Sequence, residues 1–330
     1  MNTSKLLYRK KIRKEKAMTA KSKPNELKIT RVYDAPVTAV WDAWTDPVQT
    51  AKWWGPRGFT LTTHSKDLRV GGHWHYTMHG PDGMDYPNRT LYHEVEPLKC
   101  LVYDHGATEN TPPMFRVTVN FKEIGDQTEM EMTMSFPSAE VAQQSKKFIK
   151  DAGGNSTWDR LAEYLDKDDV FVVNRSFEAP LEKVFAMWTD PKHFAQWLGP
   201  VGTRMEYLNA EIVEGKTTFY KMTYDSGLVM FGKMSYRKIR SPHTLEYTQI
   251  FCDEKGQLSK HPNVPVWPAV MLTRVLFAKE HDDQTRVTVI WEPFGDVTQE
   301  ERKAFNSMKS GMSQGWTEAF DKLEELPALR

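Results

Sequence analysis

The chain states one pattern twice, 144 residues apart. Tyr33-Asp34-Ala35-Pro36, Trp41, Trp44-Thr45-Asp46-Pro47, Trp53 and Gly55-Pro56 come first. Phe177-Glu178-Ala179-Pro180, Phe185, Trp188-Thr189-Asp190-Pro191, Trp197 and Gly199-Pro200 answer them without a gap. A period this long is no solenoid unit; it marks two copies of a complete domain. The 330 residues suffice for two cores of ordinary size. What the copies share is expected to serve the fold, and what they do not share is where individual function lies.

Local patterns give each copy the same order of elements. Glu26–Tyr33 alternates polar and apolar residues as a half-buried strand. Val37, Val40, Trp41 and Trp44 then follow helical spacing. Asp46-Pro47 caps and starts a second short helix, which Gly55-Pro56 stops. Alternating strands follow at 60–69, 73–79, 89–96, 100–104, 114–123 and 128–136. A long helical stretch runs from about Ala139, interrupted at Gly153-Gly154, with Trp158, Leu161 and Leu165 on one face. In the second copy the strands are expected at 170–177, 204–213, 218–224, 229–237, 244–251, 269–279 and 286–291. Short helices fall at 181–188 and 191–197, and one closing helix spans about 298–325. The fold class is therefore α+β, each domain a curved antiparallel sheet wrapped around a long C-terminal helix with an apolar space between them. The expected boundaries are a disordered basic leader at 1–24, a first domain at 26–167 and a second at 170–326.

Net charge is zero but unevenly spread. Residues 1–23 hold nine Lys or Arg against Glu15, leaving 35 basic and 43 acidic residues elsewhere. A mildly acidic body gives no electrostatic reason to expect nucleic acid. The leader reads as an extension, with Met18 an alternative start. It has no apolar run long enough for a secretory signal, and nothing approaches a membrane span. Cys100 and Cys252 occupy non-equivalent positions and read as free thiols, so a cytoplasmic protein is expected.

Trp44-Thr45-Asp46-Pro47, the Trp53-Trp54-Gly55-Pro56 helix stop, Gly71-Gly72-His73-Trp74 and the run Tyr92–Lys99 resemble the SRPBCC, or START-like, helix-grip superfamily, whose members include the birch-pollen-allergen fold. The most similar branch is the one named for the C-terminal domain of the activator of the heat-shock-chaperone ATPase. The resemblance covers about residues 26–166 well and 170–326 more loosely. It implies a fold rather than an activity, because the superfamily hosts carriers, cyclases, sensors and co-chaperones.

Strand alternation aims Trp74, Tyr76, Met78, Phe115, Tyr220 and Met222 into the space between sheet and helix, as ligand-cavity candidates. It leaves His73, His75 and His79 on the outer face, so no metal site is expected. Trp44, Trp53, Trp188 and Trp197 recur and read as core plugs. By the resemblance, the loop carrying Asp82, Asp85 and Tyr86 is a gate and 104–113 a latch over the cavity mouth. The second copy shortens the gate to Asp225-Ser226-Gly227 and lengthens the latch to 252–268. No nucleophile elbow, phosphate loop, dinucleotide fingerprint or zinc-helix motif occurs. His93 is the one weak general-base candidate, on condition that it points inward.

The favoured function is binding of a small, largely apolar molecule, with no cofactor. Two alternatives stand beside it. One is a stress or co-chaperone protein with a chaperone partner, as the resemblance implies. The other is a cyclase- or hydrolase-type enzyme built on the same cavity.

Overall fold

The computed structural model describes residues 23–106, 110–151, 156–166 and 170–329. Most of the basic leader, Gly153-Gly154 and the linker core at 167–169 therefore lie outside the described residues. The first copy runs β1 (Glu26–Tyr33), α1 (Val37–Thr45), α2 (Pro47–Trp53), β2 (Thr60–Lys66), β3 (His73–His79), β4 (Asp85–Glu96), β5 (Cys100–Gly106), β6 (Phe115–Ile124), β7 (Gln127–Ser135), α3 (Ala139–Asp151) and α4 (Ser156–Leu165). The second runs β8 (Phe171–Phe177), α5 (Leu181–Thr189), α6 (Pro191–Trp197), β9 (Thr203–Asn209), β10 (Thr217–Tyr224), β11 (Val229–Arg240), β12 (Thr244–Cys252), β13 (Met271–His281), β14 (Gln284–Pro293), α7 (Gln299–Ser307) and α8 (Lys309–Glu325). Each copy is one seven-stranded antiparallel sheet, in the orders β1-β7-β6-β5-β4-β3-β2 and β8-β14-β13-β12-β11-β10-β9. The α+β class and the paired helix-grip architecture hold.

Several boundaries differ from the sequence reading, three of them most clearly. β4 begins at Asp85 rather than Arg89, because His79 pairs with Asp85 and Thr77 with Pro87. Proline is tolerated there: among the described residues β5 pairs β4 only as far as Arg89, so Pro87 removes no bond from that ladder. β9 stops at Asn209. The closing helix of the second copy is two helices, separated by Met308, whose N–H turns back to Phe305. Thr298 and Glu301 form the capping box that starts α7.

The repeated words are structural. The Asp46 carboxylate accepts from the N–H groups of Val48 (2.8 Å) and Gln49 (2.9 Å), and Asp190 accepts from Lys192 at 2.8 Å. The Trp53 indole donates to the Ala43 carbonyl at 2.9 Å and that of Trp197 to Met187 at 3.0 Å. Both rings are fully buried. Gly55 and Gly199 end the helices at φ of 95° and 102°, where any side chain would strain the backbone.

Helix α4 is buried on both sides. Trp158 and Leu161 face the first core. On the other flank, Asp159 and Glu163 are each only 3% exposed, because β8 of the second copy packs there. β8 is an edge strand, and an open edge presents unpaired backbone groups. Glu163 accepts from the Val172 N–H at 2.8 Å, while Arg57 donates to the Val172 carbonyl at 3.1 Å. Arg57 and Glu163 also form a two-pronged ion pair, one prong 3.0 Å long, and Lys309 lies 3.5 Å from Glu163. Deeper in, Asn174 donates to Asp159 at 2.7 Å. In the other direction, Arg286 of β14 donates to the Thr30 carbonyl on β1.

Glu163→Ala removes the carboxylate that Arg57, Lys309 and the Val172 N–H share in a buried seam. Urea unfolding is expected to lose about 3–5 kcal/mol, the usual cost of breaking a buried pair; a loss below about 1 kcal/mol contradicts this placement.

Burial pushes the Asp159 carboxyl up to about 6, against the opposing pull of Arg31 and the Asn174 amide. The folded protein thus holds this proton more tightly than the unfolded chain does. Its contribution to stability is complete below about pH 4 and is lost as pH rises through about 6. Denaturation of wild type and Asp159→Asn at pH 4 and 7 should show the wild type losing on the order of 2 kcal/mol relative to the variant; a difference independent of pH would refute it.

Candidate functional site

The inner face of each sheet carries a set of tyrosines that recurs at the repeat distance. Alternation along β3 turns Trp74 and Tyr76 inward, to 3% and 1% exposure, with Met78 half-buried beyond them. Tyr92 on β4 and Tyr103 on β5 join them, their rings 6.1 Å apart. Their counterparts are Tyr220, Tyr236 and Tyr247, all buried. Burial raises the hydroxyl pKa of all six, so they are neutral hydrogen-bonding groups in an apolar interior. Tyr76 and Tyr220 had been singled out from the sequence. The other four had not, although each sits at an inward position of its strand and repeats across the two copies.

The copies differ in how these hydroxyls are satisfied. In the second, the Gln249 amide donates to Tyr220 at 2.6 Å. In the first, the equivalent position is His105, whose ring stacks on Phe115 at 4.8 Å. Burial lowers the His105 pKa to about 4, which leaves the imidazole neutral at physiological pH. Among the described residues, the buried Tyr76 hydroxyl makes no full hydrogen bond, with the Trp54 indole as its polar neighbour. An aromatic wall flanks it: Trp74 stacks on Tyr76 at 4.0 Å, and Trp54 meets Trp74 edge-on at 5.1 Å.

Behind that wall lies Lys66. Its ammonium is 4.1 Å from the centre of the Trp74 ring and donates to the Trp44 carbonyl at 3.0 Å and the Thr50 hydroxyl at 3.2 Å. Burial, partly offset by Asp46, lowers its pKa to about 7. A strand-end lysine reads as solvated from sequence; only the packing of α1 and α2 over β2 reveals it.

The loops also diverge. In the first copy, Asp82 accepts from the Met84 N–H at 3.0 Å and from the Tyr86 hydroxyl at 3.2 Å, and the Tyr86 ring packs 5.7 Å from Phe59. Asp85 pairs with His79 at 2.6 Å. The gate therefore folds onto itself. Latch residues 107–109 lie outside the described residues. In the second copy the long latch turns Trp267 back onto the domain, 5.9 Å from Phe305 and 6.0 Å from Trp291.

His93 does not meet the condition set for a general base. It follows the inward Tyr92 and lies exposed on the outer face, where it bonds Asp104 at 2.7 Å beside Arg116. The outer histidines are likewise engaged: His75 with Arg89 at 3.1 Å, His64 with Thr77 at 2.8 Å and His79 with Thr62 at 2.8 Å. Among the described residues, no group of three His, Cys, Asp or Glu is placed to hold a metal ion. None of their helices is long and apolar enough to cross a membrane.

A family model described as activator of Hsp90 ATPase homolog 1-like protein matches the chain twice, over residues 34–166 and 178–328. No curated protein matches it. Among solved structures, a protein from Arthrobacter aurescens is 26% identical, with a TM-score of 0.41, over 44% of this chain and 90% of its own. One from Staphylococcus epidermidis is also 26% identical, with a TM-score of 0.41, over 46% and 95%. The di-domain ARO/CYC protein BexL of the BE-7585A biosynthetic pathway aligns with 91% of this chain and 97% of its own, at 10% identity and a TM-score of 0.36.

The two equivalent tyrosines should respond differently to loss of the hydroxyl. Tyr220→Phe breaks the bond to Gln249 and should cost about 1–2 kcal/mol. Tyr76→Phe removes a poorly satisfied buried hydroxyl and should be neutral or stabilising by up to about 1 kcal/mol. Equal losses in thermal or urea unfolding would show that Tyr76 is bonded as well as Tyr220.

Proposed function

Because the chain belongs, in two tandem copies, to the activator of Hsp90 ATPase homolog 1-like family, we propose that its first copy binds a small, largely apolar molecule between sheet and helix. The observation that carries this reading is the contrast between Tyr76 and Tyr220. A buried hydroxyl without a partner costs free energy. The second copy avoids that cost with Gln249. The first places His105 there instead, stacked on Phe115. A ligand carrying one or two polar atoms on an apolar skeleton would supply the missing partners. Trp74, Met78 and Phe115 would bury the skeleton at roughly 25 cal/mol per Å². Entry would be past Tyr86 and Phe59, where an exposed ring meets a half-buried one at the edge of the core.

The second copy serves as the closed partner in this reading. Its shorter loop and the turn of Trp267 onto Phe305 would restrict access to the Tyr220–Gln249 pair.

Native mass spectrometry of the full chain, purified from its own cells, tests the proposal. The wild type should carry one small molecule per chain, and Met78→Trp, which adds bulk at the inward position next to Tyr76 on β3, should carry none. A wild-type chain that is always empty, or a variant that retains the molecule, would sink it.

A further inference from the structure

A cavity lies between the two copies rather than inside either. It encloses about 540 Å³ and is lined on its apolar side by Leu27, Ile29, Met134, Val173, Phe320 and Leu329. Its cations are Lys28, Arg31, Lys146 and Arg175. Lys28 pairs with Glu131 at 2.7 Å, and Lys146 is exposed. Arg175 pairs with Asp321 at 2.9 Å and Glu324 at 3.0 Å. The anions in the lining are committed as well. Glu280 pairs with Arg286 at 3.0 Å, and Asp159 takes the Asn174 amide.

Arg31 is different. It is 8% exposed, yet among the described residues it forms no ion pair. One Nη donates to the Thr30 carbonyl of its own backbone at 2.9 Å, and the buried Nε has no partner at all. Arg31 and Arg175 occupy the same place in the repeat, 144 residues apart. In the second copy the closing helix supplies the carboxylate of Asp321. By the spacing of Trp158 and Trp316, the equivalent residue in the first copy is Glu163. Glu163 is diverted to Arg57, Lys309 and the Val172 N–H. Building the seam between the copies has therefore taken away the ion-pair partner of Arg31; Asp159 is near enough to feel its charge but gives its carboxylate to the Asn174 amide. A buried guanidinium without an ion-pair partner is strongly disfavoured unless an anion completes it.

We propose that this cavity binds an amphipathic organic anion, its carboxylate on the free edge of the Arg31 guanidinium and its hydrocarbon body against Leu27, Ile29, Met134 and Phe320. The site is separate from the tyrosine-lined interior of the first copy and uses residues from both copies. Guanidinium binds carboxylate through parallel charge-assisted hydrogen bonds. An apolar wall next to it selects an anion with a hydrocarbon tail over an inorganic one.

Calorimetric titration of the full chain with decanoate and with decan-1-ol tests this. Wild type should bind one decanoate per chain, at least about tenfold tighter than the alcohol, the worth of one charge-assisted bond. Arg31→Gln should remove that preference and leave the alcohol unchanged. Thr317→Trp, on the exposed rim of the cavity, should abolish both and does not depend on how the Arg31 variant folds. Absence of decanoate binding, equal binding of acid and alcohol, or binding that survives both substitutions overturns the proposal. In the last case the probe sits in the tyrosine-lined interior, which supports the preceding reading instead.

Discussion

One carboxylate, that of Glu163, decides how the two halves of the chain meet. It is engaged at once by Arg57, by Lys309 and by the backbone N–H of Val172 on the outermost strand of the second sheet. A carboxylate desolvated to this degree persists only if its lone pairs are filled, and here partners from both copies fill them. Arg57 closes the arrangement by covering the Val172 carbonyl and the Phe171 ring. The pair thus stands in for a neighbouring strand. The position of α4, the burial of Asp159 and the shape of the inter-copy cavity all follow from that contact.

Much of the fold was legible because it rests on local rules. Proline after aspartate, tryptophan at helical spacing and glycine before proline each act through the residues next to them, and each occurs twice. Inward and outward alternation along β3 was equally readable, and it placed Trp74 and Tyr76 correctly on the buried side. His93 was weighed only on the condition that it pointed inward; a bulge lets both His93 and Glu94 face outward between Tyr92 and Val95, which simple alternation does not foresee. The break at Met308 escaped for a similar reason: nothing in its own residue type signals a stop.

The site was less legible, and the cause is that its features are tertiary. Asp159 and Glu163 belong to the polar face of an amphipathic helix, which ordinarily means solvent. Lys66 looks like a surface residue until two helices cover it. The importance of Tyr92 and Tyr103 appears only when they converge with Tyr76 from three different strands. In each case the missing information is what packs on the far side. The repeat supplied part of it, since a residue whose twin is satisfied elsewhere becomes conspicuous when its own partner is absent.

A strand edge capped by side chains from the neighbouring copy has a further meaning for the molecule as a whole. Duplicated domains joined by a short linker are often pictured as beads that could be separated without loss. Here the second sheet, on its own, would present Val172 bare to any extended segment in solution. The first would be left with its Arg57–Glu163 ion pair uncovered, the contacts to Val172 and Lys309 gone. Duplication in this chain has made the halves complementary rather than redundant, so the natural unit of folding and of inheritance is the pair.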